Sequence, residues 1–589
     1  MRRSIVVVLA LLWVAASAPA RAARPYRGGV VATGYAPASE AALEILDKGG
    51  NAVDAAVAAA FAAGVVGPYH SGLGGGGFAL VFDQKTGETK VLDFREVAPL
   101  GATRDMFVKN GAVVRGLSTD GALSVAVPGA VLGYLTLHQK YGRLPRATVM
   151  APAIRLAKQG FWVTPKYRAM ARVRQACLQR DPEATRIFLG KDGAVPEVGA
   201  IIQQPDLAKT LTAIARQGPS AFYRGRIAQA IATTVKRHGG VLSEEDLKKY
   251  EVRWRAPLEG HYRGHTVLTM PPPSAGGIAL LQVLAAMERM EPQPPARWHD
   301  TLHLHRFVEA VRRVYVDRAK YLGDPAFTDI PLQRLLSPEY IDQMVKGIDP
   351  DKATPSTSLL DVGAAATQST LVPHPEGARS VPAAPMDGTD AGRNTTHISI
   401  VDREGNAVAM TTTINYGFGS CLVAAGTGVL LNDEMDDFAA QVNVPNAYGL
   451  VTGEANAIAP GKIPLSSMSP TIVFQKENPK KVLLVVGSPG GSTIPTTVMQ
   501  VIENVIDYGM DVLRAAGAPR VHHQYLPDAL MIDTPGLEPQ TRQALSAKGH
   551  HLQDAPTWGD AEAVYVDPQT GLRYAGSDPR NEGAGVGQD

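Results

Sequence analysis

From Asp390 to Asn415 the chain reads DAGRNTTHISIVDREGNAVAMTTTIN. A tract rich in Ala, Pro, Gly, Ser and Thr, from about Lys352 to Arg393, ends at Thr395, Thr396 and His397. An alternating pattern begins at once and resumes after the turn Asp402–Asn406, which predicts a β-hairpin. Threonines suit strands, but the position of Thr395 suits something more. A threonine hydroxyl is a poor nucleophile unless a base takes its proton, and a free α-amine, of pKa about 7.7 to 8.0, is one such base. An internal threonine has no such amine. If its Oγ first attacks the Asn394 carbonyl and the ester is hydrolysed, Thr395 becomes an N-terminal nucleophile carrying its own base. The tract upstream reads as a mobile linker that lets the preceding chain move away.

Working outward, Ala38–Lys48 has helical apolar spacing and stops at Gly49-Gly50, and a second helix restarts with Asn51 as its N-cap. FALVFDQKTGETKVLDFRE then gives a hairpin around Lys85-Thr86-Gly87, ending at Arg95 and Glu96. Residues 126–320 read as mostly helical, with breaks at AVPGAVLGY, RWRAPLEGHYRGH and MPPPSAGG, and LHRFVEAVRRVYVDRAKYL is a long amphipathic helix. Beyond the second hairpin, KVLLVVGSPGG is a buried strand entering a glycine turn, and STIPTTVMQVIENVIDYGM a helix. This order suggests two sheets covered by helix layers.

Composition excludes some classes. The 589 residues are 45% hydrophobic and 19% charged, with a formal net charge of +2 and no long basic run, so there is no electrostatic footprint for nucleic acid. Met1-Arg2-Arg3, the apolar run SIVVVLALLWVAASA and small residues at Ala20 and Ala22 read as a bacterial secretory signal peptide, residues 1–22. The apolar run is short of the ~20 residues that span a bilayer, so the mature protein is expected to have no membrane span and to be periplasmic or secreted. The two cysteines, Cys177 and Cys421, lack CxxC spacing, and whether they pair is left open; Cys421 reads most simply as a buried small residue.

Several motifs invite other readings. GLGGGGF, Gly72–Phe78, matches GxGxxG, but a helix precedes it and a strand follows, the reverse of a dinucleotide site, so close backbone packing is the better reading. His299, His303 and His305, and the pairs His522-His523 and His550-His551, have no ligand set with metal spacing, and no metal is expected. Arg95, Asn415, Glu434, Asp437, Ser466, Ser467, Gly490 and Gly491 each suit ordinary turn or surface chemistry alone. Together they would suit an amino-acid-shaped ligand: Arg95 on a carboxylate, Glu434 and Asp437 on an ammonium, and glycine N–H groups on an oxyanion.

From about Gly29 to its end the chain resembles the γ-glutamyltranspeptidases (glutathione hydrolases). The resemblance is carried in order by SGLGGGGFALVFD, LDFREVAP, AVPGAVLGY, MPPPSAGG, DRAKYLGDPAF, NTTHISIVDREGNAVAMTTTIN, NDEMDDF, KIPLSSMSPTIV, GSPGGS and GSDPR. It implies an α+β fold, the αββα four-layer sandwich of N-terminal nucleophile hydrolases. A precursor cut between Asn394 and Thr395 would yield a large subunit, 23–394 with the linker at 352–394, and a small catalytic subunit, 395–589, forming the sandwich jointly as a heterodimer. It further implies that Thr395 is autoprocessing residue and nucleophile toward glutathione and other γ-glutamyl compounds, with water, an amino acid or a peptide as acceptor. Thr413 would tune Thr395; Arg95, Ser466 and Ser467 would bind the donor α-carboxylate, and Asn415, Glu434 and Asp437 its α-amine. Gly490 and Gly491 would form the oxyanion hole, and Tyr448, in a lid-like AAQVNVPNAYG, would close over Asn415. No cofactor is implied, because both half-reactions are acyl transfers. Two alternatives remain: a related cephalosporin or glutaryl acylase, which need not keep the full glutamate clamp, and an unprocessed periplasmic binding protein.

Overall fold

The computed structural model describes residues 22–190, 192–294, 297–359, 394–534 and 536–589. The signal peptide, save Ala22, and the linker from residue 360 to 393 lie outside them. Helix α1 (Ala36–Asp47) is followed by α2 (Ala52–Val66), and Asn51 caps α2 as expected: its side chain accepts from Val53 and Asp54 N–H while the Asp54 carboxylate accepts from Asn51 N–H. Every residue of α2 is buried, so this Ala-rich helix runs through the core rather than over it.

The hairpin of β1 (Gly76–Asp83) and β2 (Glu88–Phe94) turns where the Asp83 carboxylate accepts from Lys85 and Thr86 N–H. The glycines before and within β1 have a packing reason. A Cβ would fall 2.0 Å from Leu430 O at Gly74, 1.9 Å from Thr413 O at Gly75 and 2.2 Å from Thr411 O at Gly77. Helices α3 (Gly276–Met290) and α4 (Thr301–Tyr321) follow, then the hairpin of β3 (Thr396–Val401) and β4 (Ala407–Thr413), whose turn is closed by Asp402 accepting from Asn406 N–H. Strand β5 (Val482–Gly487) leads through the glycine turn into α5 (Ile494–Ile506).

These strands belong to two sheets of seven. The first runs, in spatial order, 584–587, 30–33, β3, β4, β1, β2 and 253–255; the second runs 25–26, 573–577, 562–566, β5, 471–474, 265–269 and 258–262. Alternation along the strands divides the core. Ala79, Val81, Ile398, Ile400, Val408 and Met410 pack with α1 and α2, whereas Phe78, Leu80, Phe82, Val401, Ala407 and Ala409 face the second sheet and, beyond it, α3, α4 and α5. The sheets meet so closely that a Cβ on Gly487 would lie 2.2 Å from the His397 ring. The result is the expected four-layer αββα sandwich.

Three local expectations change. RWRAPLEGHYRGH is not merely a break between helices: Arg253–Arg255 and Leu258–Tyr262 are edge strands of the two sheets, and His265–Thr269 lies next to the latter, with half-exposed polar residues obscuring the alternation. The linker's first residues are packed: Ala353 N–H donates to Lys548 O at 2.7 Å, and Ser356 takes hydrogen bonds to Asp528 and Arg312. Cys421 is buried but not simply a small residue, because it is disulfide-bonded to Cys177 with a Cα separation of 5.9 Å. The histidines take structural contacts: His303 with Glu291 at 2.7 Å, His305 with His550 at 2.8 Å, His522 with Thr496 and His523 with Asp528.

Candidate active site

Thr395 stands at the mouth of β3. Because Thr396 pairs with Thr412 in the hairpin register, Thr395 comes opposite Thr413, and its hydroxyl donates to Thr413 Oγ at 3.1 Å. Thr413 Oγ also accepts from Asn415 N–H at 2.9 Å, which fixes the acceptor. Thr395 and Asn394 are buried, and Thr395 has φ = +147°. A β-branched residue rarely adopts that conformation, so the bond to be tested for cleavage sits in strained backbone.

The neighbouring hairpin brings the charges. In sheet register Gly76 of β1 lies beside Thr413 and Gly77 beside Phe94, so Arg95, one residue beyond β2, emerges at the same sheet end as Thr395. Its backbone is held by Asp93, which accepts from Arg95 N–H, and by Tyr250, whose hydroxyl donates to Arg95 O. Its guanidinium forks onto two carboxylates, donating to Glu434 Oε1 through Nη1 and to Asp437 Oδ2 through Nη2 at 2.5 Å, with Glu96 at 3.6 Å. Glu434 and Asp437 lie on one 3₁₀ turn, Glu434–Asp437, which places both on the guanidinium edge.

Burial would depress the Arg95 guanidinium, but Glu434, Asp437 and Glu96 around it raise it instead. Burial pushes the Glu96 carboxyl up to about 7, against the pull of Arg95. It raises Glu434 and Asp437 as well; Arg95 opposes both shifts, and Arg318 helps it at Asp437. Asp436, bonded by Ser118 at 2.6 Å, is pushed by burial to about 6.

Two loops complete the walls. Ser466 is locked to the MPPPSAGG segment, its N–H donating to Pro273 O and its carbonyl accepting from Ala275 N–H. Tyr448 donates from its hydroxyl to Asn415 O at 3.0 Å, while Gln524 holds the Tyr448 carbonyl. Asn415 donates through Nδ2 to Asp433 O. Gly490 and Gly491 have φ of +130° and +57°, and a Cβ on Gly491 would lie 2.5 Å from the Tyr448 ring, so the turn needs glycine at both positions.

One small pocket is lined by Thr395, Thr413, Asn415, Arg95, Glu434, Asp437, Ser466, Ser467, Tyr448 and Gly491, all singled out from sequence, together with Leu450, Met468 and Ile494. Gly490 lies behind this lining, its carbonyl accepting from Thr493. Sequence reading missed Glu96, although it adjoins Arg95, because nothing in an isolated Arg-Glu pair says that both will be buried. It also missed the three apolar liners, which look like ordinary core residues. One pairing differs from the simple expectation: Arg95, Glu434 and Asp437 engage one another. Buried charges of opposite sign within reach pair, since an unpaired one is far costlier.

The chain matches the γ-glutamyltranspeptidase family over residues 38–588. It is 41% identical over 554 residues to the glutathione hydrolase proenzyme of Escherichia coli (strain K12), covering 94% of this chain and 90% of that one. Among solved structures, cephalosporin acylase from Bacillus halodurans is similar with a TM-score of 0.80 at 27% identity, over 98% of this chain and 100% of that one. Helicobacter pylori γ-glutamyltranspeptidase is similar with a TM-score of 0.53 at 37% identity, over 56% of this chain and 95% of that one.

Proposed function

The chain belongs to the γ-glutamyltranspeptidase family, and from that premise we propose how its own residues carry out γ-glutamyl transfer and hydrolysis. It is an enzyme of that type, acting on glutathione-type compounds. In the precursor, Thr395 Oγ attacks the Asn394 carbonyl, the acyl group passes from N to O, and water hydrolyses the ester, leaving an Asn394 carboxylate and a free Thr395 α-amine. The buried, strained junction supports this reading. The amine then serves as base for its own hydroxyl, and Thr413, at 3.1 Å, orients that hydroxyl.

The donor enters as a zwitterion and exchanges with the ion pairs already present. Its α-carboxylate takes the Arg95 fork, with Ser466 and Ser467 beside it, and its α-ammonium takes Glu434, Asp437 and Asn415. Thr395 Oγ attacks the γ-carbonyl; the oxyanion is held by N–H groups at Gly490 and Gly491. The amine portion leaves with a proton, and the γ-glutamyl ester passes to water, an amino acid or a peptide. Tyr448 covers Asn415 and narrows the cavity. Processing would give subunits 23–394 and 395–589 of a heterodimer, and the arginine-led signal sequence supports a periplasmic or secreted enzyme. Among the described residues no helix is long and apolar enough to cross a membrane.

One observation carries this reading: the threonine pair and an arginine–dicarboxylate clamp line one cavity. The fold is shared with an acylase, so the clamp is what selects γ-glutamyl donors. Incubation with glutathione and with a glutaryl amide of the same leaving group tests it. Free glutamate from the first and negligible turnover of the second is the expected result; the reverse order assigns the chain to the acylases.

A further inference from the structure

Helix α4 lays one face against the walls of the cavity. Tyr315 donates from its hydroxyl to the carbonyl of Ser492, directly after the Gly490-Gly491 turn. Arg318 is three residues further on and so shares that face. The next carbonyl, of Ala319, accepts from Gly453 N–H at 2.9 Å and ties the helix to the loop that carries Tyr448 and Leu450. Arg318 is only 5% exposed, and its Nε and Nη1 are buried with no hydrogen-bond acceptor. A guanidinium buried in this way is costly. A methionine of similar length would pack there at lower cost, so stability alone does not explain an arginine.

The charges nearby do. Asp437 feels the charges of Arg95 and Glu96 at the end of β2, of Glu434 and Asp436 on its own turn, of Tyr448 in the loop above and of Arg318 on α4, and of the two arginines Arg95 alone lies within ion-pair distance of it. Only Arg95 and Arg318 are cations. When a donor carboxylate engages Arg95, the hold of Arg95 on Asp437 is weakened while three acidic neighbours remain. We propose that Arg318 is a positioning residue for donor recognition: it keeps Asp437 a carboxylate, available to the donor's α-ammonium, once Arg95 has turned to the donor's α-carboxylate. This rests on the reading of Asp437 as an α-amine ligand.

The test compares the parent enzyme with Arg318→Met, Arg318→Lys and Asp437→Asn, by steady-state kinetics on a γ-glutamyl anilide across about pH 5 to 9. Removing a cation raises the pKa of the carboxylate it faces, so Arg318→Met should raise KM about tenfold with kcat within about threefold. The acid limb of kcat/KM should move up by about one pH unit, and Arg318→Lys should restore most of both. A purely structural Arg318 would change thermal stability and leave the acid limb in place. If Asp437→Asn raises KM while Arg318→Met keeps the parent KM and acid limb, the proposal is overturned and the donor-site reading stands. If Asp437→Asn leaves KM unchanged, the donor-site reading falls and the proposal falls with it. Should Arg318→Met fail to fold, Arg318→Gln is read by the same criteria.

Discussion

Two hairpins stand side by side in one sheet, and they differ in what they deliver. The hairpin β1–β2, from before the Asn394–Thr395 bond, ends in Arg95 and Glu96, groups held by burial and ion pairing. The hairpin β3–β4, from after it, begins at Thr395 and ends at Thr413 and Asn415, uncharged groups held by hydrogen bonds and strained backbone. The strand pairing β4 to β1 brings both sets to one sheet end. On the proposed reading the first hairpin supplies recognition and the second supplies chemistry, and damage to each should read differently.

The largest effect is expected at the second hairpin. Thr395→Ala should leave one uncut chain and lower activity by about 10⁴-fold or more, measured by denaturing gel and glutamate release; a cut, active variant would break the comparison. At the first hairpin, Arg95→Ala should raise KM for the donor ~100-fold, because it removes the carboxylate partner and leaves Glu434 and Asp437 uncompensated. A loss confined to kcat would contradict a recognition role. Thr413→Val removes the acceptor of both the Thr395 hydroxyl and the Asn415 N–H and should lower kcat about tenfold with little change in KM.

The smallest effect is a pH dependence of stability. Glu96 has a folded pKa of about 7, above its unfolded value, so the folded state binds the extra proton and stability falls as pH rises through about 4.5 to 7. Glu96→Gln should flatten that fall, making the variant progressively more stable than the parent from about pH 5 to 8. Parallel thermal melting curves for the two proteins would deny Glu96 this role.

Much of this was legible before any coordinates, for local reasons. The alternation of residues 396–413 and 76–94, the Asn51 cap and the glycine run each encode their element nearby. The residues that line the pocket were singled out through the order of motifs rather than any one of them. What escaped is what depends on partners far along the chain. The strands between 253 and 269 need both sheets to show their alternation. The disulfide joins residues 244 apart. Glu96 and Arg318 acquire meaning only from the carboxylates of a turn more than a hundred residues away.

The disulfide also sharpens the comparison, since Cys177 and Cys421 lie on opposite sides of the Asn394–Thr395 bond. A cut chain should stay joined on a non-reducing gel and separate on a reducing one. Intact mass spectrometry of the reduced protein tests the central claim most directly. The account predicts two chains, the smaller with the mass of residues 395–589 and Thr395 at its N-terminus. A single uncut chain that nevertheless releases glutamate from glutathione would contradict it.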